Sequence, residues 1–269
     1  IGISSITPTA TRAYALLEEI RKIKKKDALT VMGGPHATFC PDEALDMGFD
    51  YIVRGEGEET IIELLDYIKK DKDIKNIDGI SYKIDNQIIH NKDRKAIEDL
   101  NSIPLPEWTL LEGFEKINYI PIQTSRGCPY GCKFCSVIKM FGRKYRYKSC
   151  DNVVSEISHL LEMFKTSKAK RLFFYDDNFS SNPQRSKEIL KEIIKRKIDM
   201  PTWFAQERLE ISKDQELLEL MRDTGCRRLM IGVESINPDT LKEYKKKQTV
   251  SDISTSVSKF HEYGIGIHG

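Results

Sequence analysis

Ile120-Pro121-Ile122-Gln123-Thr124-Ser125-Arg126-Gly127-Cys128-Pro129-Tyr130-Gly131-Cys132-Lys133-Phe134-Cys135 is the stretch on which the fold turns. An apolar, strand-like run over 119–124 leads directly into three thiols held within eight residues. Gly127, Pro129 and Gly131 break up any helix or strand there and let the backbone wrap tightly, so the three sulfurs can converge on one centre. Downstream of this loop, β-prone runs and amphipathic stretches alternate. Strands are expected near 119–124, 171–175, 202–206 and 229–233, with a fifth beginning at 265. Helices are expected near 151–165, 184–197, 214–224 and 251–263, the first with Val153, Ile157, Leu160 and Phe164 on one stripe. Repeated strand–helix units of this kind predict a parallel α/β barrel or part of one, whose chemistry gathers at the C-terminal ends of the strands.

The region before the loop alternates too. A strand over 1–6 is followed by a helical stripe of Leu16, Leu17, Ile20 and Ile23, then a strand over 29–32 stopped by Gly33-Gly34-Pro35. A short helix near 42–47, a strand over 50–53 and a helix over 58–69 follow. Residues 80–84 and 87–90 read as a hairpin turning at Asp85-Asn86. Residues 92–118, with Pro104 and Pro106, lack periodicity and read as a linker with some packing of its own through Leu105 and Trp108. The expected organisation is a Rossmann-like domain over 1–91, the linker over 92–118 and the barrel over 119–269. The chain opens at Ile1 inside one strand and closes at Gly269 just inside another, so both domains are expected to be truncated, parts of a longer protein.

Thiolates are soft ligands suited to zinc or to iron–sulfur clusters. Zinc would need a fourth ligand, for which Cys150 and His159 are the candidates, but the second paired knuckle usual in zinc sites is missing. An electron-transfer ferredoxin would carry tighter gaps and a fourth nearby cysteine. Three thiolates on a four-iron cube leave one iron open to a substrate or cofactor. The remaining cysteines, Cys40, Cys150 and Cys226, are scattered and suggest no disulfide scaffold.

The Cys-x3-Cys-x2-Cys spacing, with Phe134 before the last cysteine, resembles the radical S-adenosylmethionine (radical SAM) superfamily. That resemblance implies a partial (βα)6 barrel, a 4Fe-4S cluster on Cys128, Cys132 and Cys135, and S-adenosylmethionine bound to the open iron. It further implies reductive cleavage of that cofactor to a 5′-deoxyadenosyl radical, and a reductant such as flavodoxin or ferredoxin. Phe173-Phe174-Tyr175-Asp176-Asp177-Asn178-Phe179 resembles the family's second-strand cofactor motif. Asp176, Asp177 and Asn178 there accept bonds from the cofactor's ammonium, or else cap a helix or turn. Arg208 in Phe204-Ala205-Gln206-Glu207-Arg208 grips the methionyl carboxylate, or else pairs with Glu207 or Glu234. Ile231-Gly232-Val233-Glu234-Ser235 resembles the fourth-strand motif, with Glu234 accepting from the ribose hydroxyls and Ser235 beside it. Phe134 completes the expected cofactor contacts.

The front region carries a second resemblance. Val31-Met32-Gly33-Gly34-Pro35-His36-Ala37-Thr38 and Asp50-Tyr51-Ile52-Val53-Arg54-Gly55-Glu56-Gly57-Glu58 look like the later half of the cobalamin-binding domain found in one radical SAM subclass, which includes methyltransferases and a porphyrin ring cyclase. Cobalamin is accordingly implied for the full-length protein, and the reaction implied is methyl transfer or radical ring closure on an unknown small-molecule or peptide substrate. His36 lacks the family's Asp-x-His-x-x-Gly context for a cobalt ligand and reads as a turn histidine bonded to backbone. The rival readings are a non-catalytic iron–sulfur electron-transfer module and a structural zinc protein.

A net charge of only +2 argues against nucleic acid as a partner. The lysine runs Lys24–Lys26 and Lys245–Lys247 read as solvated helix faces. No stretch reaches the roughly 20 apolar residues of a membrane span, and a cytoplasmic location is the expectation.

Overall fold

The computed structural model describes every residue except 70–72 and 247, and the chain divides into two compact units, Ile1–Ile97 and Glu98–Gly269. In the first, strands β1 (Gly2–Ser4), β2 (Val31–Gly33) and β3 (Tyr51–Val53) run parallel. Strands β4 (Ile80–Ile84) and β5 (Gln87–His90) extend the sheet antiparallel, in the order β1-β2-β3-β4-β5. Asp85 and Asn86 both take positive φ, as a two-residue hairpin turn requires. Helices α1 (Ala10–Ile23), α2 (Gly34–Phe39), α3 (Pro41–Asp46) and α4 (Glu58–Ile68) connect and cover the strands.

Two local expectations for this unit change. The buried stripe of α1 is Ala10, Ala13, Tyr14 and Leu17, while Leu16 and Ile23 are exposed. The helix starts at Ala10, and positions i, i+3, i+4 and i+7 from there define the face that meets the sheet. The Gly33-Gly34-Pro35 sequence does not simply stop a strand. Gly34 takes φ +88 and Pro35 sits in the first turn of α2, where its missing N–H costs nothing.

In the second unit, β6 (Ile120–Ile122) is followed by a small antiparallel pair, β7 (Ser125–Arg126) with β8 (Arg146–Tyr147), which brackets the cysteine loop and the short helix α5 (Val137–Phe141). Then come α6 (Cys150–Met163), β9 (Arg171–Phe174), α7 (Pro183–Lys195), β10 (Thr202–Glu207), α8 (Gln215–Asp223), β11 (Cys226–Ile231), α9 (Pro238–Glu243), α10 (Val250–Glu262) and β12 (Gly266–His268). The five principal strands are all parallel and stand in chain order, β6-β9-β10-β11-β12. Five of these helices start where a side chain can satisfy their free N–H groups: Ser149 for α6, Asn182 before Pro183 for α7, Asp214 for α8, Asn237 for α9, and a Thr249–Asp252 capping box for α10.

Strand alternation separates two faces. On β10, Trp203, Ala205 and Glu207 are buried, and Trp203 packs edge-on to Phe174 at 5.1 Å between ring centroids. The predicted α6 stripe of Val153, Ile157, Leu160 and Phe164 is buried in the same core. Phe204, from the alternate set on β10, stacks on Phe173 at 4.4 Å. The 92–118 segment divides between the units: its first six residues go with the first. The remainder forms three single 3-10 turns, from which Trp108 and Phe114 pack edge-on against Phe164. Among the described residues, no helix is long and apolar enough to cross a membrane.

Candidate functional site

The C-terminal end of β6 is fixed by one buried carboxylate. Asp176, just past β9 and fully buried, accepts from Thr124 N–H at 2.9 Å and from Ser125 Oγ at 2.5 Å. The buried Arg185 guanidinium donates to Thr124 O at 3.0 Å and to Lys148 O. Burial pushes the Asp176 carboxyl up, while Ser125 and Arg185 oppose that shift. The ends of two neighbouring strands are thereby latched together at the point where the cysteine loop begins.

The loop then turns at Gly127, whose φ of +89 suits glycine. A Cβ there would lie 2.4 Å from the Lys144 carbonyl oxygen. Cys128 N–H donates to Gly142 O, Cys135 N–H to Cys132 O, and Lys133 N–H to Tyr244 O. Cys128, Cys132 and Cys135 are partly buried and unbridged. Desolvation pushes the Cys128 and Cys135 thiols up, with neighbouring thiols and Asp177 adding to it. The loop is therefore suited to thiolates only when a positive centre compensates them.

Around the loop stand groups from the other strand ends. Asp177 is pushed up to about 6 by burial and by Asp176, and a backbone hydrogen bond from Gly127 works against that. Its Oδ2, like Asn178 Oδ1, is buried without a hydrogen-bond partner among the described residues. Buried oxygens left this way are costly, and they call for a donor. Arg208 meets an acidic partner other than the two expected for an internal ion pair. It pairs with neither Glu207 nor Glu234, but with Glu210, at 3.0 Å from Nε and 2.6 Å from Nη2 to Oε1. Its remaining terminal nitrogen is 3.9 Å from Cys132 Sγ, and its guanidinium lies 4.0 Å from the centre of the Tyr130 ring.

Glu234 follows β11 with φ +65 and accepts from Lys246 Nζ at 3.1 Å. Gly232 makes this possible, because a Cβ there would fall 2.4 Å from Glu234 Oε1 and 2.7 Å from Lys246 Nζ. Ser235 accepts from Asn237 N–H at 3.0 Å. Phe134 is half exposed, tilted on Tyr244 at 5.3 Å, with Lys246 Nζ 5.9 Å from its centroid. Lys246 corrects the reading of its lysine run as a solvated face. It is buried just beyond α9 and paired, while Lys247 lies outside the described residues.

Sequence reasoning passed over Thr124, Ser125, Arg185, Glu210 and Lys246. Arg185 left a trace, since it shares the stripe of α7 with Ile189 and Ile193, all three buried. A charge on an apolar stripe marks a buried partner.

Neither zinc candidate joins the loop. Among the described residues, the one set of three compatible ligand atoms within 4.8 Å of one another is His36, Cys40 and Glu43 in the first unit. The three loop thiols do not form such a set. His36 itself is not a turn residue bonded to backbone. It sits on α2, buried, with Nε2 2.7 Å from the Tyr14 hydroxyl and Nδ1 3.3 Å from Thr7 Oγ1. A 360 Å³ cavity lined by Tyr119, Arg171, Phe204, Arg228 and His268 lies at the starts of the strands, the opposite edge from the cysteine loop.

Comparison with known proteins agrees with this geometry. Residues 122–268 match the Radical SAM superfamily model, and residues 1–65 match that of the B12 binding domain. An uncharacterized methyltransferase of Pyrococcus horikoshii is 31% identical over 271 residues, which are 98% of this chain and 58% of that protein. An anaerobic magnesium-protoporphyrin IX monomethyl ester cyclase of Rubrivivax gelatinosus is 31% identical over 281 residues, 98% of this chain and 49% of the relative. The chain thus spans about half the length of these relatives. In fold it is similar to the cobalamin-dependent S-adenosylmethionine radical enzyme OxsB (TM-score 0.85, 22% identity, 100% of this chain and 40% of that one). It is also similar to the radical S-adenosylmethionine methyltransferase TsrM from Kitasatospora setae (TM-score 0.79, 20% identity, 99% and 55%). With more than half of its residues matched by the family model, a B12 binding domain ahead of them and three thiols at the end of the first barrel strand, the chain belongs to the radical SAM superfamily.

Proposed function

We propose that Cys128, Cys132 and Cys135 hold a 4Fe-4S cluster whose fourth iron takes S-adenosylmethionine, and that the full-length protein uses it for cobalamin-assisted methyl transfer or radical ring closure. The observation that carries this reading is the loop itself. Its three partly buried thiols follow the first barrel strand within eight residues, and unpartnered oxygens of Asp177 and Asn178 lie just past the neighbouring strand. When bound, the cluster would supply one electron to the sulfonium and so release a 5′-deoxyadenosyl radical.

The chain's own residues do the positioning. Asp177 Oδ2 and Asn178 Oδ1 are acceptors awaiting a donor, which the cofactor's ammonium provides. Glu234, oriented by Lys246, presents its second oxygen toward hydroxyl donors, and Ser235 and the open face of Phe134 border the same place. Asp176 works from behind, fixing Thr124 and Ser125 so that the loop leaves β6 in one direction.

Radical SAM chemistry needs a low-potential reductant, and flavodoxin or ferredoxin fits that role. Cobalamin is assigned to the first unit on the strength of its B12 binding domain match. The substrate is taken to be a small molecule or peptide.

The test is anaerobic reconstitution with iron and sulfide, followed by electron paramagnetic resonance of the reduced protein with and without S-adenosylmethionine. A four-iron signal that changes shape on adding the cofactor is the expected result, and Cys128→Ala should bind no cluster. Iron content unchanged in that variant would overturn the assignment. A signal indifferent to the cofactor would favour a simple electron relay.

A further inference from the structure

The guanidinium of Arg208 carries five N–H donors on three nitrogens, and each nitrogen already has one partner. Nη2 donates to Glu210 Oε1 at 2.6 Å and Nε to Oε2 at 3.1 Å, the two-pronged arrangement that makes arginine–carboxylate pairs strong and directional. Nη1 points to Cys132 Sγ at 3.9 Å. The flat face rests on Tyr130, a residue of the cysteine loop itself, at 4.0 Å. The side chain is only 10% exposed, so its charge is poorly screened. One of the two edges with which an arginine grips a carboxylate, Nε–Nη2, is thus occupied by Glu210, and Nη1 on the other edge is turned to Cys132.

We propose that Arg208 is directed at the cluster, not at the cofactor carboxylate: clamped by Glu210 and Tyr130, it holds a charge-assisted hydrogen bond on the Cys132 thiolate and raises the cluster's reduction potential. This rests on the reading of the loop as a 4Fe-4S site. Reduction adds one electron, and hence one negative charge, to the cluster and its thiolates. A donor and a positive charge beside one sulfur stabilise the more negative form, so the potential rises. Glu210 is a positioning residue in this scheme. It fixes the guanidinium in place and also partly offsets its charge.

The two substitutions therefore push in opposite directions. Arg208→Gln removes the charge and should lower the midpoint potential. Glu210→Gln still offers an oxygen to the guanidinium but no longer offsets its charge, and should raise it. Arg208→Lys, which keeps the charge without the planar fork, should fall between wild type and Arg208→Gln. A merely structural role would move every variant the same way.

The experiment is a redox titration of the anaerobically reconstituted full chain, without S-adenosylmethionine. Dithionite supplies the electron and is itself oxidised, and the four-iron resonance is followed against the solution potential, with iron per protein checked for each variant. Opposite shifts for Arg208→Gln and Glu210→Gln are the expected result. Potentials that do not move, or that move together, in variants of full iron content would overturn the inference while leaving the cluster reading intact. A wild-type protein that takes up no four-iron cluster would overturn both.

Discussion

Glu207 is the last residue of β10 and is fully enclosed on the helix side of the sheet. Its Oε1 accepts from Ser180 Oγ at 2.6 Å, but Oε2 has no partner among the described residues. Burial, with Asp176 adding a smaller share, pushes its carboxyl from 4.5 up to about 8. The folded protein therefore keeps a proton that the unfolded chain releases at about pH 4.5, and stability falls as pH rises from there to about 8. At pH 7 the acid is still protonated in the fold, about 2.5 units above its unfolded value. At 1.36 kcal/mol per unit this costs about 3 kcal/mol relative to pH 4, as an upper figure. Glu207→Gln has the shape of the protonated acid, keeps an acceptor for Ser180 and cannot ionise. Wild type and variant should match in urea unfolding near pH 4.5. They should diverge steadily above it, the variant ahead by roughly 2–3 kcal/mol at pH 7 and by more at pH 8.5. Trp203, packed in the same layer, provides the fluorescence signal. Parallel pH profiles for the two proteins would show that Glu207 ionises freely in the fold, and the reasoning would fail.

Asp176→Ala strips the buried Thr124 N–H and Ser125 Oγ of their shared acceptor; with buried donors left unsatisfied at about 1–3 kcal/mol each, a loss of roughly 2–5 kcal/mol is expected, measured by the same unfolding. Gly127→Ala must fit a Cβ 2.4 Å from the Lys144 carbonyl at φ +89. Strain of about 1–3 kcal/mol should displace the loop, and iron uptake after reconstitution should drop while the far-ultraviolet circular dichroism stays unchanged. Normal iron uptake in that variant would contradict the loop geometry.

Much of this arrangement is legible in the sequence because the barrel strands are short apolar runs and their helices carry clean stripes. Val153, Ile157, Leu160 and Phe164 illustrate the point, all four lying in the core as read. The thiol loop is legible because three cysteines crowd into eight residues directly after a strand-like run. What escaped reading depends on contacts between distant parts of the chain. Asp176 meets Thr124 across 52 residues and Arg185 meets the same threonine across 61. Lys246 looked like one of several surface lysines until the fold buried it against Glu234. Arg208 has Glu207 and Glu234 as acidic neighbours in the strand-end motifs, yet the 3-10 turn at Leu209–Lys213 puts Glu210 within bidentate reach instead. Periodicity cannot see such pairings, since neither partner is marked by its immediate neighbours.

The chain-order sheet has a consequence for biosynthesis. Each new strand–helix unit docks on the edge made just before it, so the barrel can grow as the polypeptide emerges. The thiols of 128–135 come with the first strand–helix pair of the barrel, whereas Tyr244 and Lys246, which contact Lys133 and Phe134 of their loop, are made more than a hundred residues later. At 5–20 residues per second, that leaves roughly 5–20 s in which the loop is exposed and unclamped.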